Sequence, residues 1–383
     1  MQPRNGPAPA VSPAPAAARA PAAGPLIAAG HCHLLFAYDI GLSIRLEEAS
    51  RLVAEVPERE TIRHKRRTPT YFEYRPTPLR ITQSGPGLTL GGFRTIDRVE
   101  CVIYDFGAVS LSYAIPLAGP LSGLLPLADL LYENKDLLED SRRRVDRLLE
   151  RIRPAVDKPH IADLEEDYAI YQIEALDPAA DAVDLLRTHR QTLAQILRAE
   201  PQLLSEQEVE DALTHRISYT PADAAVIDWN AAVLFQGDSE DVRAVLEYAN
   251  VELLELRRLD DQLDHVLDRS YEAVGRRDWR SALRLVPGRE MRRIARMQMD
   301  SALLFEGVNN ALKLVGDQYL ARLYTMAAAR LHLKEWDASI LRKLQTAESI
   351  YQKLSDQAAT RRLEVLEWII ILLIAVSVAI SFW

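Results

Sequence analysis

The chain has 383 residues, a formal net charge of −9, 48% hydrophobic and 26% charged residues. That length and composition suit one or two globular domains with a large core, and the acidic balance argues against nucleic acid as the main partner, because a phosphate-binding surface is usually basic. Two cysteines, Cys32 and Cys101, with no CxxC spacing, exclude a disulfide framework and a cysteine zinc site.

Residues 1–27 form a Pro/Ala-rich tail with no aromatic residue. It cannot bury enough apolar surface to offset its ordering entropy, so the composition predicts disorder. Proline interrupts every candidate signal-peptide core, so export through the N-terminus is not expected. The excess of arginine over lysine, with abundant alanine, suits a GC-rich bacterial genome.

Residues 28–237 read as a mixed α/β head. His31–Tyr38 is predicted as a strand, followed by a helix over Leu42–Val56 that ends before Pro57. Tyr71–Tyr74 and Leu79–Thr82 are short edge-strand candidates beside Pro76 and Pro78. Glu100–Tyr104 and Ala108–Ile115 read as a hairpin around Asp105-Phe106-Gly107, and a helix is expected over Asp136–Ile152. A second cycle follows. Asp167–Glu174 alternates as a strand, Asp177-Pro178 offers a helix N-cap with proline at the first position, and Ser205-Glu206-Gln207-Glu208 is a capping box. Ala225–Phe235 is expected as one strand. Strands alternating with helices suggest a compact sandwich, with a ferredoxin-like arrangement as one candidate.

Residues 238–362 carry helical period nearly throughout. Leu256, Leu259, Leu263 and Val266 repeat at 3-4-3 spacing, and Ile340, Leu344, Ala347, Tyr351, Leu354 and Ala358 at 4-3-4-3-4. That is a coiled-coil seam. It is satisfied either by self-association, which makes Leu344, Tyr351 and Leu354 oligomer contacts, or by an antiparallel bundle within one chain. A single last helix is expected from Asp317 through Glu364. Residues 363–383 are predicted as a single-pass membrane anchor: the run from Trp368 to Trp383 has no charged side chain, with Ile371 and Leu373 in its apolar part and tryptophans at both ends. About 16 residues reach roughly 24 Å as a helix. Arg361 and Arg362 before the span put the N-terminal bulk in the cytoplasm, so the expected location is a bacterial inner membrane. The overall expectation is an α+β chain with a head, a coiled-coil-like helical region and one transmembrane helix.

Four segments carry a family resemblance. Asp228–Arg257, Val102–Val109, Leu259–Tyr271 and Leu366–Ile374, where Leu366-Glu367-Trp368 leads into isoleucines, resemble in order the motifs of the required-for-meiotic-nuclear-division (YagE-type, sporulation-associated) family. The resemblance implies a membrane-anchored protein with an α/β head and a helical C-terminal half. It brings no catalytic residues, and its eukaryotic members are associated with mitochondrial membranes and translation, or with sporulation.

The remaining motifs have bland readings. Asp105-Phe106-Gly107 lacks every other kinase motif and reads as a turn. The glycine-rich stretch Gly85–Gly92 lacks the lysine and helix that a phosphate cradle needs. His31 and His33 share one strand face and Cys32 the other, too few ligands for a metal. Asp260, Asp261, Asp264 and Asp268 read as an exposed acidic helix stripe beside Arg257 and Arg258. Arg63–Arg67 reads as a solvated basic loop, with membrane or RNA contact as the alternative, and the helical run Arg289, Arg292, Arg293 and Arg296 is similar, with pairing to acidic helices as a further alternative. Asp228 and Asn230 are expected on one strand face with Trp229 in the core. No catalytic, cofactor-binding or metal-binding set is therefore predicted. The expected function is a non-catalytic, membrane-anchored oligomeric scaffold or tether that recruits a protein partner. The alternatives are an enzyme or ligand-binding head whose pocket no linear motif shows, and a ribosome or RNA tether.

Overall fold

The structure is a computed structural model that describes residues 25–54, 77–235, 237, 239–275 and 318–381. The elements, in order, are β1 (Leu26–Asp39), β2 (Ser43–Ile44), α1 (Leu46–Ala54), β3 (Leu79–Ser84), β4 (Thr89–Leu90), β5 (Phe93–Arg94), β6 (Arg98–Ile103), β7 (Ala108–Pro116), β8 (Gly119–Pro120), α2 (Leu124–Leu131) and α3 (Lys135–Ile152). Then come β9 (Val156–Asp157), β10 (Glu165–Asp177), α4 (Ala182–Thr188), α5 (Arg190–Arg198), α6 (Glu206–Ala212), β11 (Arg216–Ile217), β12 (Ala224–Ile227) and β13 (Ala231–Phe235). Three helices close the chain: α7 (Glu240–Gly275), α8 (Gln318–Arg330) and α9 (Leu333–Ser381).

One 9-stranded sheet organises the molecule, in the order β11-β12-β13-β10-β1-β7-β6-β3, with β8 on β1. All its pairings are antiparallel except β10 with β13. The central strands are apolar on both faces, as strands covered on both sides must be. Along β1, Cys32, Leu34, Phe36 and Tyr38 enter one core with α1 to α6. Leu35 and Ala37 enter a second core with α7, α8 and α9. The architecture is therefore three layers, helix on sheet on helix. This mixed α/β sandwich replaces the expected ferredoxin-like head with a separate helical half, because the later helices form the sandwich's second outer layer.

Several local expectations hold. β6 and β7 form the hairpin around Asp105-Phe106-Gly107, with Val99 opposite Tyr113. Gly107 sits at φ +103, where an added Cβ would meet the Gly41 carbonyl oxygen at 1.9 Å, so only glycine fits this turn. Asn134 caps α3 by accepting from the Leu137 amide at 3.1 Å. Ser205 caps α6 by accepting from the Glu208 amide at 3.3 Å.

Others are corrected. Ala225–Phe235 is two strands, not one. β12 and β13 pair as a hairpin, and the turn between them buries Asp228 and leaves Trp229 44% exposed, the reverse of the expected faces. Asp177-Pro178 does not cap a helix; α4 starts at Ala182 behind Asp181. The last helix is interrupted at Leu331-His332, with His332 at φ +55, although neither glycine nor proline marks the break. Tyr71–Tyr74, Arg63–Arg67, Asp238, Arg289–Arg296 and nearly all of the 1–27 tail lie outside the described residues.

The membrane anchor is also corrected. Among the described residues no helix is long and apolar enough to cross a membrane. The single-pass span is therefore not supported, nor is the inner-membrane location with a cytoplasmic N-terminus that rested on it. The physical reason is length: Glu364 and Glu367 precede Trp368, and the run of about 16 residues after them falls short of the roughly 20 that a spanning helix needs. Trp368, Ile371 and Leu373 are exposed on α9, and Trp383 lies outside the described residues.

Half of the seam has a partner within the chain. Ile340, Leu344 and Ala347 of α9 are buried in one cluster with Leu256, Leu259, Leu263 and Val266 of α7. Lys343 bridges Asp260 at 2.7 Å and Asp264 at 2.6 Å, so two carboxylates of the acidic stripe serve this helix pair, while Asp261 is exposed with His265 at 3.7 Å. Arg257 pairs instead with Glu166, and Arg258 with Asp39 at 2.7 Å. The side chains of Tyr351 and Leu354 lie outside the described residues.

Candidate functional site: a polar cleft where the long helix begins

The period-2 rule of a strand places every second residue on the face toward α7. On five neighbouring strands those residues change from apolar to polar toward one end of the sheet. Leu35 on β1, Val102 on β6 and Ile170 on β10 lie in the core that α7 covers. Beyond the helix N-terminus the same faces carry His31 and His33, Arg98 and Glu100, Thr82 and Ser84, Ser112, and Gln172 and Glu174. The sheet continues where α7 does not, and the uncovered part is the floor of a cleft of about 730 Å³. Ser239, Glu240 and Arg243, at the start of α7, form the wall.

The cleft is held by specific contacts. His31 Nδ1 meets Glu174 Oε1 at 2.8 Å. Arg243 Nη1 lies 3.0 Å from His33 Nδ1, and Gln172 donates to the Gly237 carbonyl at 3.3 Å. Deeper along α7, Arg80 Nη2 stands 3.9 Å from Glu247 Oε2. Burial pushes the Glu247 carboxyl up, opposed chiefly by that guanidinium.

Two further polar clusters lie away from the cleft. Asp39, wholly buried at the end of β1, meets Glu255 of α7 and the Arg258 guanidinium, with His160 Nε2 at 3.4 Å. Burial pushes both carboxyls up. Asp228 is clasped by Arg198 at 2.6 Å and Arg330 at 2.5 Å, which ties the β12–β13 turn to α5 and α8. In both clusters the central carboxylate is wholly buried and its ion pairs bind secondary structure together.

The structure distributes the sequence-predicted residues unevenly. His31 and His33, read as ordinary strand residues, line the cleft, while Cys32 and Cys101 are free thiols buried in the opposite core, where burial pushes their pKa values up. Among the described residues no cluster of three or more His, Cys, Asp or Glu could hold a metal ion. Leu344 and the α9 residues Trp368, Ile371 and Leu373 belong to none of the cleft walls. Sequence reasoning missed Arg98, Arg243, Thr82, Ser84, Ser112, Gln172 and Glu174. Their signal was the repeated polar-x-polar step inside otherwise apolar strands: His31-x-His33, Thr82-x-Ser84, Arg98-x-Glu100, Ser110-x-Ser112 and Gln172-x-Glu174.

Fold and cleft together define a mixed-sheet α/β protein with a polar, helix-flanked hollow in its head. The chain belongs to the family described as "Uncharacterized protein MJ0711, N-terminal domain", whose model matches residues 29–241. That match takes in every residue lining the cleft except Arg243. The chain is similar to "Uncharacterized protein MJ0711" of Methanocaldococcus jannaschii, at 20% identity over 222 residues. The similarity covers 57% of this chain and 66% of that protein. No solved structure matches the chain.

Proposed function

We propose that the head is a binding module for a small polar molecule, which enters the cleft at the start of α7. The observation behind this reading is the convergence of polar side chains from five strands and one helix around a hollow of about 730 Å³, a size typical of small-molecule sites. A solvated sheet end would not need the half-buried and buried polar groups Gln172, Ser112 and Arg243. The test is a thermal-shift screen of the full chain against a metabolite library, repeated with Ser84→Trp, which fills the cleft from the edge strand. Hits that stabilise the wild type and are lost in the variant support the reading. A library without a cleft-dependent hit refutes it.

A second reading, a scaffold that joins a protein partner or a second copy through its helical half, is supported by a different observation. Leu363, Leu366 and every residue from Trp368 to Ile374 expose apolar side chains on α9, more than a monomer usually leaves uncovered on one helix. This reading includes the proposed kinship with the required-for-meiotic-nuclear-division family. A chain truncated after Arg362 that elutes at the same oligomeric size as the full chain would remove it.

A further inference from the structure

The cleft holds two guanidinium groups with no carboxylate among the described residues in ion-pair contact. Several partly buried arginines elsewhere are matched to carboxylates: Arg144 to Asp140 at 2.6 Å, Arg198 and Arg330 to Asp228, Arg258 to Asp39 and Arg257 to Glu166. Among the described residues the Arg98 side chain makes no ion pair or hydrogen bond, and no carboxylate lies within ion-pair distance of Arg243, on which Glu247 acts only from further along α7. The Arg243 Nε is also buried without a hydrogen-bond partner. A buried donor left unmade is costly, and this cost falls on the half-buried Arg243, while Arg98 stands exposed on the facing wall.

Resting on the reading of the cleft as a ligand site, we propose that its ligand is a phosphomonoester of a hydroxyl- or amine-bearing small molecule, with the phosphoryl group held between Arg98 and Arg243. The register supports this spacing. His33, which contacts Arg243, stands opposite Ala114 of β7, and Arg98 lies on β6, the next strand beyond. The two walls are thus two strand spacings apart, about 10 Å. Two arginine side chains can close on one tetrahedral anion across that width, over the small floor residue Ala114. Planar forks suit phosphoryl oxygens, and the hydroxyls of Thr82, Ser84 and Ser112 supply further donors around it.

The acidic residues define the rest of the ligand. Glu100, Glu174 and Glu240 also line the cleft. Three carboxylates against two guanidiniums disfavour a polyphosphate or a nucleic-acid backbone, which would bring several negative charges. They suit a single phosphoryl group on a body rich in hydroxyl or amine donors, which those carboxylates accept. Glu240 and Asp241 already occupy the first turn of α7, so the guanidiniums, and not the helix end, select the anion.

The test is calorimetric titration of the full chain with sugar monophosphates and nucleoside monophosphates, each paired with its dephosphorylated counterpart, and with inorganic phosphate. At least one phosphomonoester is expected to bind at least about tenfold more tightly than both its counterpart and inorganic phosphate. Arg98→Gln and Arg243→Gln are each expected to weaken it by about tenfold or more, the loss of one charge-assisted contact. Arg98 is exposed, so its variant reports on binding without risk to the fold. A counterpart that binds as tightly as its phosphate, with binding abolished by Ser84→Trp, would overturn this inference and leave the cleft reading standing. Inorganic phosphate binding as tightly as every ester would overturn it too. If no ligand of either set binds, the inference falls.

Discussion

Glu252 of α7 offers a direct test of how the second core is built. Its carboxyl is buried, 7% exposed, and its Oε2 accepts from the Tyr324 hydroxyl of α8 at 2.5 Å, with no arginine or lysine among the described residues paired to it. Burial pushes its pKa up to about 7, a hydrogen bond from Tyr324 pulling the other way and Asp337 adding to the rise. The ordinary value is 4.5. Because the folded pKa lies above the unfolded one, the folded chain holds this proton where the unfolded chain has released it. The stability that follows is full below about pH 4.5 and is lost as pH rises towards 7. The shift corresponds to about 3 kcal/mol, as an order of magnitude. Glu252→Gln keeps the shape and an acceptor for Tyr324 but cannot ionise. Urea unfolding of wild type and variant at pH 5 and pH 8 should show the variant gaining on the wild type by about 2–3 kcal/mol between the two pH values. Any cost of the amide N–H is independent of pH and cancels in that comparison. Equal differences at pH 5 and pH 8 would show that Glu252 ionises freely in the fold and would refute the reasoning.

Two further substitutions probe the joints between layers. Asp228→Asn leaves the partly buried guanidiniums of Arg198 and Arg330 with only the more exposed Asp211 as a shared carboxylate, and the cost expected from urea unfolding at pH 7 is about 1.5–3 kcal/mol, that of charged hydrogen bonds lost, above the slight effect that a strand-face position would give. Leu344→Ala opens a cavity between α9 and α7, with about 2–5 kcal/mol lost. Its unfolding midpoint should not depend on protein concentration, since α7 of the same chain fills the seam; a concentration-dependent midpoint would assign the seam to a second copy.

The hairpin at Asp105-Phe106-Gly107, α3 and the Ser205 cap were legible because each rests on local rules: a glycine at a turn, an apolar stripe at helical period, a serine before a helix. The seam on Leu256–Val266 and Ile340–Ala347 was legible as two apolar stripes, yet their pairing within one chain was not, since periodicity names a face and never its partner. The β12–β13 turn escaped because Asp228-Trp229-Asn230 lacks the glycine that usually marks a tight hairpin. The break at His332 escaped for the same reason. The cleft was the largest omission. His31, Thr82, Arg98, Ser112, Gln172 and Arg243 are spread over more than 200 residues, and none has a neighbour in sequence that signals binding.

Sequence alone determined which faces of this chain are apolar. Alternation on the strands and helical period after Glu240 commit those side chains to burial, because leaving them in water costs about 25 cal/mol per Å². It also determined that the sheet would contain polar steps within apolar strands. Only the tertiary structure decided where those steps meet. The antiparallel register of β3, β6, β7, β1 and β10 aligns them at one end of the sheet, and the point where α7 starts leaves that end uncovered. Register is set by long-range pairing and helix placement by packing of whole faces, and neither is written in the spacing of any one segment.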